Sequence, residues 1–170
     1  KMNFTTNHDE NSWNGTVFER YGDGYKTFAV LMATVPGMPL IYTGQEAANA
    51  KALEFFEKDP VVWSDYPLED FYRTLLNLKK RNQSLWNGGH GGEYQQIKTG
   101  SDESVIAFMR EKNGQQVLVI LNLSSGSREI QMAGDAYTGE YNDVFEGEKV
   151  SFIENHQLQL KPWEYRVYEK

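Results

Sequence analysis

The 170-residue sequence contains no cysteine, which excludes disulfide bonds, thiolate metal sites and a cysteine nucleophile. Many secreted proteins also lack cysteine, so this absence leaves the compartment open between secreted, periplasmic and cytoplasmic. Positive charge is also scarce, since 17 basic residues stand against 24 acidic ones and give a formal net charge of −7. We therefore expect no general binding to nucleic acid or to an anionic membrane through charge.

The sequence also lacks the patterns of a membrane-spanning helix, a phosphate-binding loop and a metal site. No apolar run approaches the roughly 20 residues that a membrane-spanning helix needs, and there is no glycine-rich loop with the Lys-Ser/Thr ending that cradles phosphates. His90 and His156 have no second ligand at metal-binding spacing, which predicts no metal site. What the sequence does contain is 39% hydrophobic and 14% aromatic residues, enough for a sizeable folded core.

Patterns in the first half predict alternating strands and helices. Met2–Thr6 has the pattern of a short strand that runs into a polar segment, Asn7–Asn11, which we interpret as a functional loop. Residues 28–35 are apolar on most sides and predict a deeply buried helix, which Pro36 and Gly37 end. Met38–Tyr42 has the length of a strand buried on both faces, and an apolar stripe from Leu68 to Leu76 predicts a further helix ending in three cations.

Asp9 and Tyr42, at the ends of the two predicted strands, lie 33 positions apart, close to the roughly 30 residues per unit of an eight-fold strand–helix barrel. Two parallel strands cannot close a barrel, and they leave apolar surface and strand edges unpaired. We therefore expect the first half to be the end of a larger domain. The unpaired edges would be covered by the missing barrel half of a parent chain, or by self-association.

The second half predicts an antiparallel β-sandwich. Four glycines fall within positions 88–92, which favours a boundary there, and short alternating runs separated by turns follow. Asn113-Gly114 is the preferred dipeptide of a two-residue type I′ hairpin. The eight predicted strands are Glu93–Lys98, Ser104–Arg110, Val117–Leu123, Arg128–Met132, Tyr137–Asn142, Lys149–Phe152, Gln157–Leu160 and Glu164–Tyr168.

The polar segment after the first predicted strand is the main candidate for chemistry. His8 and Asp9 place an imidazole beside a carboxylate where barrel enzymes keep catalytic groups. The pair alone is also compatible with a loop held by local hydrogen bonds. Glycoside hydrolysis needs two carboxylic groups flanking the scissile bond, and Asp9 has no equivalent partner in this sequence.

Two segments resemble the alpha-amylase family of glycoside hydrolases. Phe4–Asp9 (FTTNHD) resembles the stretch that ends the seventh barrel strand in that family, and Gly37–Glu46 (GMPLIYTGQE) resembles its eighth strand. Phe55–Pro60 and Leu160–Tyr165 add family-like detail, so the resemblance extends over essentially the whole chain. It implies the last two units of an incomplete TIM (β/α)8 barrel in residues 1–87, a linker at 88–92 and an antiparallel β-sandwich at 93–170.

The resemblance implies that Asp9 is the catalytic carboxylate that stabilises the transition state, and that His8 and Asn7 contact the same sugar. The family's nucleophile and its acid/base residue lie on two earlier strands, and no residue here matches either. Glu10 and Glu46 are interpreted as structural or supporting carboxylates. Calcium is common in the family, but its usual ligands lie upstream, so we predict no cofactor in this chain.

Two aromatic residues are further candidates for sugar binding, because an aromatic ring packs against the C–H face of a pyranose. The polar residues around Trp13 predict an exposed loop, whereas Tyr42 is also compatible with a packing role.

The resemblance implies a retaining glycoside hydrolase whose partner is an alpha-glucan oligosaccharide or polysaccharide such as starch. The 170-residue chain alone is expected to be inactive, because it lacks the nucleophile and the acid/base residue. Two alternatives stay open: a non-catalytic carbohydrate-binding module, and an amylase-like scaffold protein without hydrolytic activity.

Overall fold

The computed structural model describes residues 1–170. Its helical part comprises α1 (His8–Asn14), α2 (Val17–Tyr21), α3 (Tyr25–Thr34) and α4 (Glu69–Arg81). Two short strands, β1 (Met2–Asn3) and β2 (Met38–Pro39), accompany these helices. No helix is both long and apolar enough to cross a bilayer.

The two early strands pair in parallel, as expected, with Met2 opposite Met38 and Asn3 opposite Pro39. Both are much shorter than predicted. Leu40 still donates its amide to the Asn3 carbonyl at 2.8 Å, but each strand has only one neighbour and the ladder stops there. The prediction of five-residue strands was therefore wrong in extent.

The prediction that Asn7–Asn11 forms a loop is also wrong, because α1 begins at His8. The side-chain oxygen of Asn7 accepts a hydrogen bond from the amide of Glu10 at 2.9 Å, which caps the helix. Asp9 and Glu10 then occupy the first turn, where the helix dipole favours negative charge. Helix α2, which was not predicted, begins with a reciprocal capping box between Thr16 and Glu19.

Helix α3 is buried as expected, although not on all of its apolar sides. Ala29, Val30 and Ala33 are almost fully buried against α4 and the following sheet. Phe28 and Leu31, which also belong to residues 28–35, are only half-buried and line an open apolar groove beside β1.

All eight predicted strands of the second half are present as β3 (Glu93–Ile97), β4 (Val105–Lys112), β5 (Gln115–Asn122), β6 (Arg128–Gln131), β7 (Gly139–Asp143), β8 (Lys149–Phe152), β9 (Gln157–Leu160) and β10 (Tyr165–Glu169). Six form one antiparallel sheet in the order β3-β4-β5-β10-β7-β8, and β6 pairs with β9 in a second sheet. Asn113 and Gly114 both have positive φ, which confirms the predicted hairpin turn between β4 and β5.

Strand β5 is buried on both faces because the six-stranded sheet separates two apolar cores. Val117, Val119 and Leu121 face the helices α3 and α4, whereas Leu118 and Ile120 face the β6–β9 sheet. The helical part thus shares a continuous core with the strands.

The glycine-rich segment between the two parts is held by hydrogen bonds. The amide of Gly92 donates to the Ser84 carbonyl at 2.8 Å. The buried guanidinium of Arg110 donates from Nε to the Gly92 carbonyl at 3.1 Å and from Nη1 to the Thr34 carbonyl at 3.0 Å. One side chain therefore ties the end of α3 to the start of β3.

Candidate functional site

The candidate site lies on the first turns of α1, which residues 4–7 connect to β1. Asp9 is 60% exposed at its side chain, and its carboxylate lies 3.5 Å from Nε2 of His8, which is also exposed. No other ion pair or hydrogen bond engages the Asp9 carboxylate, so its oxygens are free to accept hydrogen bonds from a ligand.

Neighbouring Glu10 has a different role. Its carboxylate forms an ion pair with Nη1 of Arg20 at 2.9 Å and accepts a hydrogen bond from Nδ2 of Asn14 at 3.2 Å. Both members of the Glu10–Arg20 pair are less than a third exposed, and Arg20 also reaches the Thr5 carbonyl at 3.4 Å. These contacts fix α1 against the end of β1 and leave Asp9 as the free carboxylate of the turn.

A buried amide network holds the segment after β1 to the loop after β2. Nε2 of Gln45 donates to Oγ1 of Thr5 and to the Tyr72 hydroxyl, each at 3.1 Å, and Oε1 of Gln45 accepts the amide of Tyr42 at 2.7 Å. Burial raises the pKa of Tyr72, so its hydroxyl stays protonated. The network sets the relative position of the two segments that carry the candidate residues.

The loop of residues 51–59, here called the platform loop, is attached to α1 by hydrogen bonds. Oδ1 of buried Asn11 accepts the Leu53 amide at 2.8 Å, and Oγ of Ser12 donates to the Leu53 carbonyl at 2.6 Å. Asp59 closes the loop by accepting from the Glu54 amide at 3.0 Å and by pairing with Lys51. The hydrogen bond from Lys51, then that from Glu54, lowers the pKa of Asp59.

The platform loop brings two phenylalanines to the candidate site. The ring of Phe55 stacks on His8 with centroids 5.7 Å apart and lies 5.3 Å from the ring of Trp13. Phe56 packs edge-on to Phe55 at 4.8 Å and to Trp13 at 6.4 Å. Asp9, through its neighbour His8, therefore borders an exposed aromatic surface.

The structure brings together some of the predicted residues and separates others. His8, Asp9 and Trp13 share α1, and Trp13 is 62% exposed as expected, although it lies in a helix and not in a loop. Asn7 uses its side-chain oxygen to cap that helix. Tyr42 is half-buried and takes part in none of the ring pairs around Phe55.

Phe55, Phe56, Asn11 and Ser12 are the site residues that the sequence analysis missed. The signal available was a pair of adjacent phenylalanines within a charged segment that has no helical or strand period. Glu46, the other candidate carboxylate, has one buried oxygen without a hydrogen-bond partner. No three His, Asp or Glu side chains converge in an arrangement that could hold a metal ion.

This chain is similar to known amylases and to a glucan branching enzyme. Residues 94–167 match the family model of the maltogenic amylase C-terminal domain. Alpha-amylase 2 of Dictyoglomus thermophilum is 25% identical over 95% of this chain and 28% of its own length. The 1,4-alpha-glucan branching enzyme GlgB of Deinococcus radiodurans is 30% identical over 69% of this chain and 18% of its own length.

A solved structure shows the same fold. The maltogenic alpha-amylase AmyB from Thermotoga neapolitana superimposes with a TM-score of 0.81 and 20% identity, covering 100% of this chain and 41% of that one. The chain thus spans less than a third of the two curated relatives and less than half of this structure.

Proposed function

We propose that this chain, which resembles the C-terminal region of alpha-amylase-family glycoside hydrolases, forms part of a retaining enzyme acting on alpha-linked glucans. The observation that carries the proposal is the free, exposed carboxylate of Asp9 beside His8 and an aromatic surface. A carboxylate with unoccupied oxygens can bind sugar hydroxyls, and it opposes the positive charge that develops on the ring in the transition state.

The proposed roles follow from the chemistry of each residue. Asp9 is the transition-state stabiliser, while His8 and the side-chain amide nitrogen of Asn7 donate hydrogen bonds to the same sugar. Trp13 offers an exposed ring for stacking. For Tyr42 we propose contact with substrate from the loop after β2, which the Gln45 network positions.

The proposed organisation places a barrel portion at residues 1–87, a linker at 88–92 and a β-sandwich at 93–170. The parallel pairing of β1 with β2 supports a barrel origin for the first part, because parallel strands joined by a helix are the repeating unit of that fold. Exposed Met2, Phe4 and Met38 also support it, since these apolar side chains would be covered by further barrel strands.

We propose that the nucleophile and the acid/base residue belong to a longer protein and lie outside these 170 residues. Asp9 is the one carboxylate in the first turn of α1 without a structural partner, whereas retention needs two carboxylic groups about 5–5.5 Å apart. The 170-residue chain alone is therefore expected to be catalytically inactive.

Comparison of the full-length protein with the 170-residue chain on soluble starch and maltoheptaose tests this function. We expect the full-length protein to release sugars that initially have the alpha configuration, and the short chain to release none. Starch hydrolysis by the short chain would show that its carboxylates suffice. Glucan binding without hydrolysis by the full-length protein would instead favour the binding-module alternative, and neither binding nor hydrolysis would refute the proposal.

A further inference from the structure

Two adjacent phenylalanines, Phe55 and Phe56, are exposed to solvent although they pack in neither apolar core. Phe56 is 82% exposed and Phe55 is 37% exposed, and neither belongs to the two apolar cores. Burying a phenylalanine side chain stabilises a fold, so two adjacent exposed rings forgo that stabilisation. Unlike Met2, Phe4 and Met38 at the paired early strands, these rings lie against His8 of the candidate site, where an exposed apolar patch indicates a binding surface.

Hydrogen bonds and one ion pair of the platform loop hold these rings in place. Asn11 and Ser12 bind the backbone of Leu53 from one side, and Asp59 binds Lys51 and the Glu54 amide from the other. Two of these anchors use side chains of α1, the helix that carries Asp9. The rings are therefore fixed relative to Asp9, as a preorganised binding surface requires.

We infer that Phe55 and Phe56, together with Trp13, form a stacking platform for a glucose ring of the glucan chain, next to the sugar that Asp9 contacts. This inference rests on the proposed function, which it extends by assigning a substrate-positioning role to the platform loop. The three rings form one surface, with centroid separations of 4.8–6.4 Å, and His8 continues that surface toward Asp9.

Local charge argues for a neutral sugar. Glu54 and Glu57 flank the two phenylalanines, and Asp9 and Glu10 lie on the adjoining helix turn. Two basic residues of the loop are Lys51, which is paired with Asp59, and Lys58. The negative charge around the rings repels phosphate groups and anionic lipid. A pyranose instead combines an apolar face for the rings with hydroxyls that donate hydrogen bonds to carboxylates.

The platform adds binding for a sugar beyond the reacting one. Removing it should therefore raise KM for a long oligosaccharide more than for a short one and change kcat little. In the full-length protein we expect Phe55→Ala/Phe56→Ala to raise KM for maltoheptaose about 10-fold, and to change KM for maltotriose by less than about 3-fold.

The matched control is Val62→Ala, which removes an exposed apolar side chain that lies outside the ring cluster. We expect it to leave both KM values unchanged. Phe56→Trp in the Phe55 wild-type background preserves an aromatic face and should keep KM for maltoheptaose near the wild-type value. Phe56→Ala alone should raise it, which separates stacking from general loss of loop structure.

Unchanged maltoheptaose KM in the double alanine variant of an active protein would overturn the platform and leave the proposed function standing. An equal rise of KM for both oligosaccharides, or a fall confined to kcat, would also overturn it. A full-length wild-type protein that neither cleaves nor binds either oligosaccharide would overturn the proposed function and the platform together.

Discussion

Gly24, at the start of α3, lies directly against the indole of Trp163 from the segment before β10. A Cβ atom at this glycine would lie 2.7 Å from Cε3 of Trp163 and 3.0 Å from Cδ2. Trp163 is itself held in a left-handed backbone conformation, with its amide donating to Ser124 and its carbonyl accepting from Oγ1 of Thr27. The indole of Trp163 therefore lies packed between the helical part and the sheet.

We predict that Gly24→Ala lowers the free energy of unfolding by about 1–3 kcal/mol, because the added methyl group forces the indole out of its place. Urea denaturation followed by tryptophan fluorescence measures the change. Gly89→Ala is the matched control, since a Cβ there meets no atom within 4 Å, and it should change stability by less than about 0.5 kcal/mol. Equal stability of the two variants would show that this contact is not tight.

Lys79 gives the fold a specific pH dependence. Its largely buried ammonium donates to the Leu85 carbonyl, and burial, reinforced by the nearby charge of Arg110, lowers its pKa to about 8. The unfolded chain keeps the ordinary lysine value near 10.4, so between these two values the unfolded state binds more protons. The contribution of Lys79 to stability therefore rises with pH across this window.

We predict that the unfolding free energy of wild type minus that of Lys79→Met increases with pH between 7.5 and 9.5. The increase is at most about 1.4 kcal/mol per pH unit. Urea titrations at several pH values measure it. Leu76→Met changes an exposed residue of the same helix that carries no titratable group, and it should give a difference that does not depend on pH. A Lys79→Met difference that is flat over this range would contradict the shifted pKa.

Gln45 should be sensitive to substitution because it is buried and uses both ends of its amide. Gln45→Leu would leave the Tyr42 amide without its acceptor and would remove the donor to Thr5 and Tyr72. We predict a loss of about 2–3 kcal/mol in unfolding stability, measured by urea denaturation.

Tyr72→Phe is the comparison for this network, since it removes one of the three contacts and should cost about 1 kcal/mol. If Gln45→Leu lowers the unfolding free energy no more than Tyr72→Phe does, the Gln45 amide does not hold the segments after β1 and β2 together.

The strands of the second half were predictable because each pattern agreed with its local turn. Lys149–Phe152 and Gln157–Leu160 have the predicted bounds, and Asn113-Gly114 makes the turn its composition favours. Helix α4 was predictable for a similar reason, since its stripe, acidic start and basic end all agree.

Errors in the first half have identifiable causes. Helix α1 has no apolar period, and it forms through the Asn7 cap and through buried Asn11, which binds the platform loop. Its sequence therefore resembles a loop. The capping box of Thr16 and Glu19 was a readable signal for α2, although the helix it starts is only five residues long.

The site was only partly predictable from sequence. His8, Asp9 and Trp13 are close along the chain, so their association needed only local reasoning. Phe55 and Phe56 reach them across more than 40 positions through hydrogen bonds of Asn11 and Ser12 to Leu53. Pairing of a polar side chain with a distant backbone group leaves no periodic signal in the sequence.

The proposed action of the Asp9 carboxylate on a sugar during the reaction can be measured as the kcat of Asp9→Asn on maltoheptaose in the full-length protein. We expect a fall of at least about 100-fold, because an amide cannot oppose the developing positive charge. Glu10→Gln, which changes the adjacent carboxylate paired with Arg20, should retain kcat within about 10-fold. A wild-type kcat for Asp9→Asn would contradict the account.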